Sequence, residues 1–188
     1  METPDSGHGR QPLVDRAATE AGLLACRDDL HRLLSQASRD QLRAASNGTA
    51  WTNEQLLFHM VFGFLVVRRL LPLVRLLGRR PRWVGRAFAR MLDVARIPFH
   101  WVNYAGSCGG ALVFDRSRMG GLCDRTIAFL VRSLESETEQ RLAEGMPFPR
   151  TWDPYFTSFM TLADVYAYPE LHYRHHRAQL TLAGLDRH

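Results

Sequence analysis

Tyr168-Pro-Glu-Leu-His172-Tyr-Arg-His175-His176-Arg-Ala-Gln-Leu180, near the end of a 188-residue chain, carries a helical pattern with two histidines one turn apart. At about 100° per residue, Leu162, Val165, Pro169, Tyr173, Leu180 and Ala183 gather on one helical face. Glu170, Arg174 and Arg177 fall on the other. His172 and His176 lie on or beside the apolar face, and His175 lies about 120° from its centre. Burying two adjacent imidazoles needs a reason, and a metal ion is the commonest one for paired histidines.

A third histidine joins them. Trp51-Thr-Asn-Glu-Gln-Leu-Leu-Phe-His59-Met opens a helix, with Thr52 as N-cap, Gln55 completing a capping box, and Trp51 and Leu56 suited to a hydrophobic staple. On this helix His59 shares a face with Leu56, Gly63, Val66, Leu70 and Val74, while Glu54 and Arg68 point away. One inward histidine on one helix and an inward pair on another suit one transition-metal ion. Three imidazoles favour zinc, nickel or iron over calcium or magnesium. The alternative is a set of core histidines hydrogen-bonded to their neighbours; three converging positions shift the balance toward metal.

The remaining periodicity is helical too. Residues 1–12 read as a disordered polar tail and 184–188 as a short one, flanking a single domain over 13–183. A first helix is expected over Leu13–Ala45, before the Asn47-Gly48 turn, and a second from Asn53 to about Leu77, with Pro72 as a kink or stop. Residues 79–110 read as irregular, with a short helix over Arg82–Arg96 ended by Pro98 and a loop marked by Gly106, Gly109 and Gly110. A third long helix is expected over Ser117–Glu144, stopped by Gly145, and a fourth from about Thr161 to Leu182. No strand pattern of useful length is evident. The expectation is an all-α four-helix bundle with an arginine-rich insertion, 79–116, between its second and third helices.

Composition excludes several classes. There is no signal-peptide pattern, and the apolar stretch Leu56–Val67 is too short to span a bilayer. Cys26, Cys108 and Cys123 make neither a disulfide framework nor a metal motif, so a cytoplasmic location is expected. No nucleophile triad, phosphate loop or Cys-x-x-Cys pair is present. All 24 basic residues are arginine, which suits a high-GC genome as well as any binding role. Residues 68–96 hold nine arginines against one acid, Asp93, a local charge of +8; the rest, with 15 arginines and 18 acids, carries −3.

Within that basic segment, a helix from Arg82 would set Val84, Ala87, Phe88, Met91 and Ala95 on one face, with Arg82, Arg86 and Arg90 beside it. One short stripe is a weak signal for a membrane or nucleic acid. The reading adopted is a surface helix packed on the bundle with solvated arginines, and no nucleic-acid partner. Trp83, Trp101 and Trp152 are expected in the core or at an interface, and the cysteines as buried and inert. The apolar excess of Phe58, Phe62, Phe64 and Leu65 around the second helix suggests a homodimer.

Trp51-Thr52-x-x-Gln55-Leu56-Leu57-x-His59, together with His172-x-x-x-His176-Arg-x-Gln179-Leu180, resembles the DinB superfamily of metal-binding helical bundles. The resemblance covers about residues 13–183. It implies that His59, His172 and His176 hold a divalent metal, and it implies dimers. It also implies relatives that are metal-dependent transferases or isomerases using low-molecular-weight thiols such as mycothiol or bacillithiol. The expected function is therefore a metal-dependent thiol S-transferase or isomerase joining a thiol to an electrophile. The alternative is a non-catalytic, stress-related metal-binding protein. A third reading is a metal-free bundle binding a partner through its insertion.

Overall fold

The computed structural model describes residues 15–94 and 96–182. The expected tails, together with Leu13, Ala95 and Ala183, lie outside the described residues. Helix α1 (Arg16–Gln36) and a one-turn α2 (Arg39–Arg43) precede the long α3 (Asn53–Gly78). Next come α4 (Arg82–Val94), α5 (Arg96–Val113), α6 (Arg116–Glu135) and a short α7 (Glu139–Ala143). Strands β1 (Gly145–Pro147) and β2 (Phe159–Thr161) pair antiparallel, and α8 (Leu162–Arg177) closes the described chain.

Four of these form the bundle. Helix α1 packs on α6, α6 on α3, α3 on α8, and α8 back on α1, a closed ring. Leu23, Leu30 and Leu33 of α1, Leu56, Met60, Phe64 and Leu71 of α3, Ile127 and Leu130 of α6, and Tyr166 of α8 fill its interior. Polar groups fix the ends. Asn53 on α3 donates through Nδ2 to Gln41 O (2.8 Å) and accepts from Thr181 N (3.0 Å), tying α3 to the segment after α8. Tyr173 and Arg177 of α8 donate to Asp29 of α1 at 2.9 and 3.0 Å.

The expected helix starts hold: Thr52 and Thr161 are N-caps, each in a full capping box, with Gln55 and Asp164. Three expected helices prove shorter. The first breaks at Ala37, where Ser38 caps α2. The third breaks at residues 136–138, because Thr138 caps α7 while Glu137 turns inward to Arg75 Nη2, 2.6 Å away. The fourth ends at Arg177. Helices α3 and α8 run on through Pro72 and Pro169, and Gly145 opens a strand instead of only stopping a helix.

The insertion departs most from expectation. It holds two helices, with Pro98 inside the first turn of α5, where a missing N–H leaves nothing unpaired. Gly106, Gly109 and Gly110 lie within α5 and do not form a loop. The smallness of Gly110 lets α5 approach α3: a Cβ there would overlap the Phe58 ring, which also stacks on Phe114 at 5.8 Å. Phe58 and Phe64 are thus buried within one chain.

Helix α3 is long and apolar enough to cross a membrane by length and composition, unlike the shorter stretch read from the sequence. It is nevertheless the shared core helix of the bundle, with 56% of its most apolar window buried inside the protein.

Candidate metal centre

His59 sits two turns into α3 and His172 and His176 one turn apart on α8, so the packing of α3 on α8 brings all three together. One nitrogen from each lies within 4.8 Å of the others. His59 Nε2 and His176 Nε2 stand 3.2 Å apart, a separation open to two donors that each lie about 2.1 Å from one ion. His59 and His172 are buried and His176 half-buried.

Neighbouring groups aim these rings. His176 Nδ1 donates to Gln179 Oε1 (2.7 Å), which leaves the lone pair on Nε2, toward His59. His59 Nδ1 lies 3.1 Å from Ser107 Oγ on α5, and its ring stacks on Trp51 at 4.4 Å between centroids. His172 packs over Gly63, and its buried Nδ1 finds no protein partner. Burial pushes the His59 imidazolium down to about 3, helped by His176. Burial also holds His172 well below the usual histidine range, reinforced by His59, His176 and His175, and it lowers His176 against the raising effect of Gln179. Three neutral imidazoles with converging lone pairs and an orphaned buried nitrogen make a poor apolar core and a good donor set for a divalent cation.

An apolar cavity of about 440 Å³ extends from the triad. Phe62, Val66 and Leu70 line it from α3, Phe88 and Leu92 from α4, and Trp152 and Phe156 from the segment before β2. Asp153 is the carboxylate among the described lining residues, and its Oδ2 accepts from Tyr168 at 2.8 Å. No arginine lines this cavity among the described residues.

The structure therefore brings together every histidine singled out from the sequence. His175 is also in the lining, but its Nδ1 lies 3.4 Å from Tyr155 Oη. Tyr173 is turned away, toward Asp29. Glu170 also faces away from the triad, packed over Gly22 of α1. Burial pushes the Cys26 and Cys123 thiols up to about 12, leaving them unreactive, and Cys108 is half-buried on α5. Trp83 is exposed instead of packed; Trp152 lines the cavity, and the Trp101 side chain lies outside the described residues. Ser107 escaped the sequence reading because its helix read as a glycine loop. Its signal was the i, i+3, i+4 spacing of Ser107, Gly110 and Ala111, small residues that share one face of a helix.

The buried face of α4 also differs from the expected one. Gly85, Phe88, Ala89 and Leu92 turn inward, while Ala87 and Met91 are exposed and Val84 is half-buried at the edge. A Cβ at Gly85 would stand 2.7 Å from Pro147 Cδ, so close approach to β1 decides the rotation. Arg86 and Arg90 consequently face solvent and not the cavity.

No curated protein and no solved structure matches this chain. A family model does, across residues 23–180, which include all three histidines. With that match over most of its length, the chain belongs to the DinB superfamily.

Proposed function

We propose that His59, His172 and His176 bind one divalent transition metal, zinc or nickel in preference and iron as the next choice, and that the protein is a metal-dependent thiol S-transferase or isomerase. The observation that carries this reading is the convergence of three neutral imidazoles at the head of an apolar cavity. Three protein donors leave coordination positions open, as catalytic and not closed structural sites do. When bound, the metal would supply Lewis acidity that favours the thiolate of a low-molecular-weight thiol. The chain's own residues do the rest. Gln179 and Ser107 orient two of the imidazoles, and Trp51 covers His59. Phe62, Val66, Phe88 and Trp152 exclude water and receive an apolar electrophile. Among the described residues the lining offers no arginine to an anionic thiol, so thiol recognition rests on the metal and not on Arg86 or Arg90. A cytoplasmic location and a homodimer complete the reading; the buried Phe58 and Phe64 leave the dimer resting on the family.

The test is elemental analysis of untagged protein, followed by a panel of thiols and apolar electrophiles. One equivalent of metal is expected, lost in His59→Ala and His176→Ala and retained in His175→Ala. Full retention in the first two variants would overturn the site. A stoichiometric metal with no acceleration of any thiol conjugation would favour the second reading, an ion that clamps α3 to α8 in a non-catalytic protein.

A further inference from the structure

The two faces of α4 are unlike in use but alike in chemistry. The inner face is fixed: Gly85 and Ala89 pack inward, Trp152 Nε1 donates to Leu92 O (3.2 Å), and Asp93 accepts from Thr151 (2.9 Å). The outer face is apolar too. Trp83 is 65% exposed, Met91 56% and Val94 85%, with the exposed Ala87 between them. These positions follow i, i+4, i+8 and i+11, a single strip along a helix about 20 Å long. Exposed Arg86 and Arg90 flank it, and Arg80 precedes it. Among the described residues none of the three arginines has a carboxylate partner, and Asp93, the one acid in the segment, is held by Thr151.

We propose that this outer face of α4 seats the protein on an anionic lipid surface. An apolar strip with a tryptophan suits the headgroup boundary, and arginines beside it can bury their stems while their guanidinium groups meet lipid phosphates. Charge complementarity separates this occupant from a second copy of the chain. A twofold contact through α4 would bring Arg86 and Arg90 of the two copies together, with Asp93, tied to Thr151, as the one acid of the helix to offset them. A nucleic acid would leave Met91 and Val94 without a partner. The docking does not depend on the metal reading. It does place the cavity, lined by the inner face of the same helix, about one helix diameter from the lipid.

Flotation of the full-length protein with vesicles tests this. Phosphatidylcholine alone is compared with phosphatidylcholine containing about one third phosphatidylglycerol, at low and high salt. Binding is expected on the anionic vesicles only and should weaken with salt. Arg86→Glu with Arg90→Glu, and separately Trp83→Ser with Val94→Ser, should each lower it at least about tenfold. Arg39→Glu with Arg43→Glu, on the exposed surface of α2, should not. Circular dichroism confirms that every variant is folded. Absence of wild-type binding to anionic vesicles overturns the proposal, as does an equal loss in the α2 variant. Sedimentation showing a dimer that Trp83→Ser dissociates would assign the face to a second copy, and a mobility shift with duplex DNA abolished by Arg86→Glu would assign it to nucleic acid; either overturns it.

Discussion

Gly63 on α3 lies directly under the imidazole of His172 on α8: a Cβ there would stand 2.7 Å from Nδ1 and 3.0 Å from Cε1. The absence of a side chain at residue 63 sets how deeply His172 can sit beside His59. Alanine is the better helix residue by about 1 kcal/mol, so Gly63→Ala separates helix formation from site geometry. Helical circular dichroism should be retained, while metal affinity falls at least about tenfold, read by competition with a chromogenic chelator. Unchanged affinity would mean that the ring can tilt freely.

Gln179 and Ser107 hold imidazole nitrogens that face away from the shared centre. Losing such a partner frees ring rotation and tautomer choice. Gln179→Ala and Ser107→Ala should each weaken metal binding by about 10–100-fold without abolishing it. Calorimetric titration of metal into stripped protein distinguishes this from the complete loss expected in His59→Ala.

The four bundle helices and the triad were legible because each rests on local signals. Thr52 and Thr161 cap where the sequence says, and His59, His172 and His176 fall on apolar faces that 3.6-residue periodicity exposes. Elements decided by tertiary packing were not legible. Gly106, Gly109 and Gly110 read as a loop, yet they lie in α5, which needs Gly110 to lie against Phe58. The rotation of α4 follows from Gly85 meeting Pro147, a contact between residues 62 positions apart, and no hydropathy pattern on α4 reports it. The break before α7 depends likewise on Arg75 drawing Glu137 inward from another helix.

That pair supports a stability prediction. The Glu137 side chain is 1% exposed, with Arg75 at 2.6 Å and Tyr166 Oη at 3.3 Å. Glu137→Ala would leave the partly exposed guanidinium with only Ser133 and Tyr166 as partners and should destabilise the fold by about 2 kcal/mol, read from urea unfolding. None of these residues lines the cavity, so the folded variant should still load metal. Loss of metal before unfolding would show that this end of the bundle also sets the triad.

Acid should act on the metal-free protein through the same histidines. In the unfolded chain they titrate near 6.5. In the fold, burial holds His59 down to about 3 and His172 well below the usual range. Between those values the unfolded chain binds protons that the fold refuses. Stability conferred by the neutral rings is therefore complete above about pH 6.5 and is lost as pH falls toward 3, by up to about 1.4 kcal/mol per pH unit for each histidine. Urea midpoints of chelator-treated protein should fall steadily from pH 6.5 to 5, a window above the range in which most carboxylates titrate. His59→Leu combined with His172→Leu should flatten that fall. If the slope between pH 6.5 and 5 is the same in the double variant, the proton uptake belongs to other groups, and the rings are less desolvated than their packing against Trp51 and Gly63 implies.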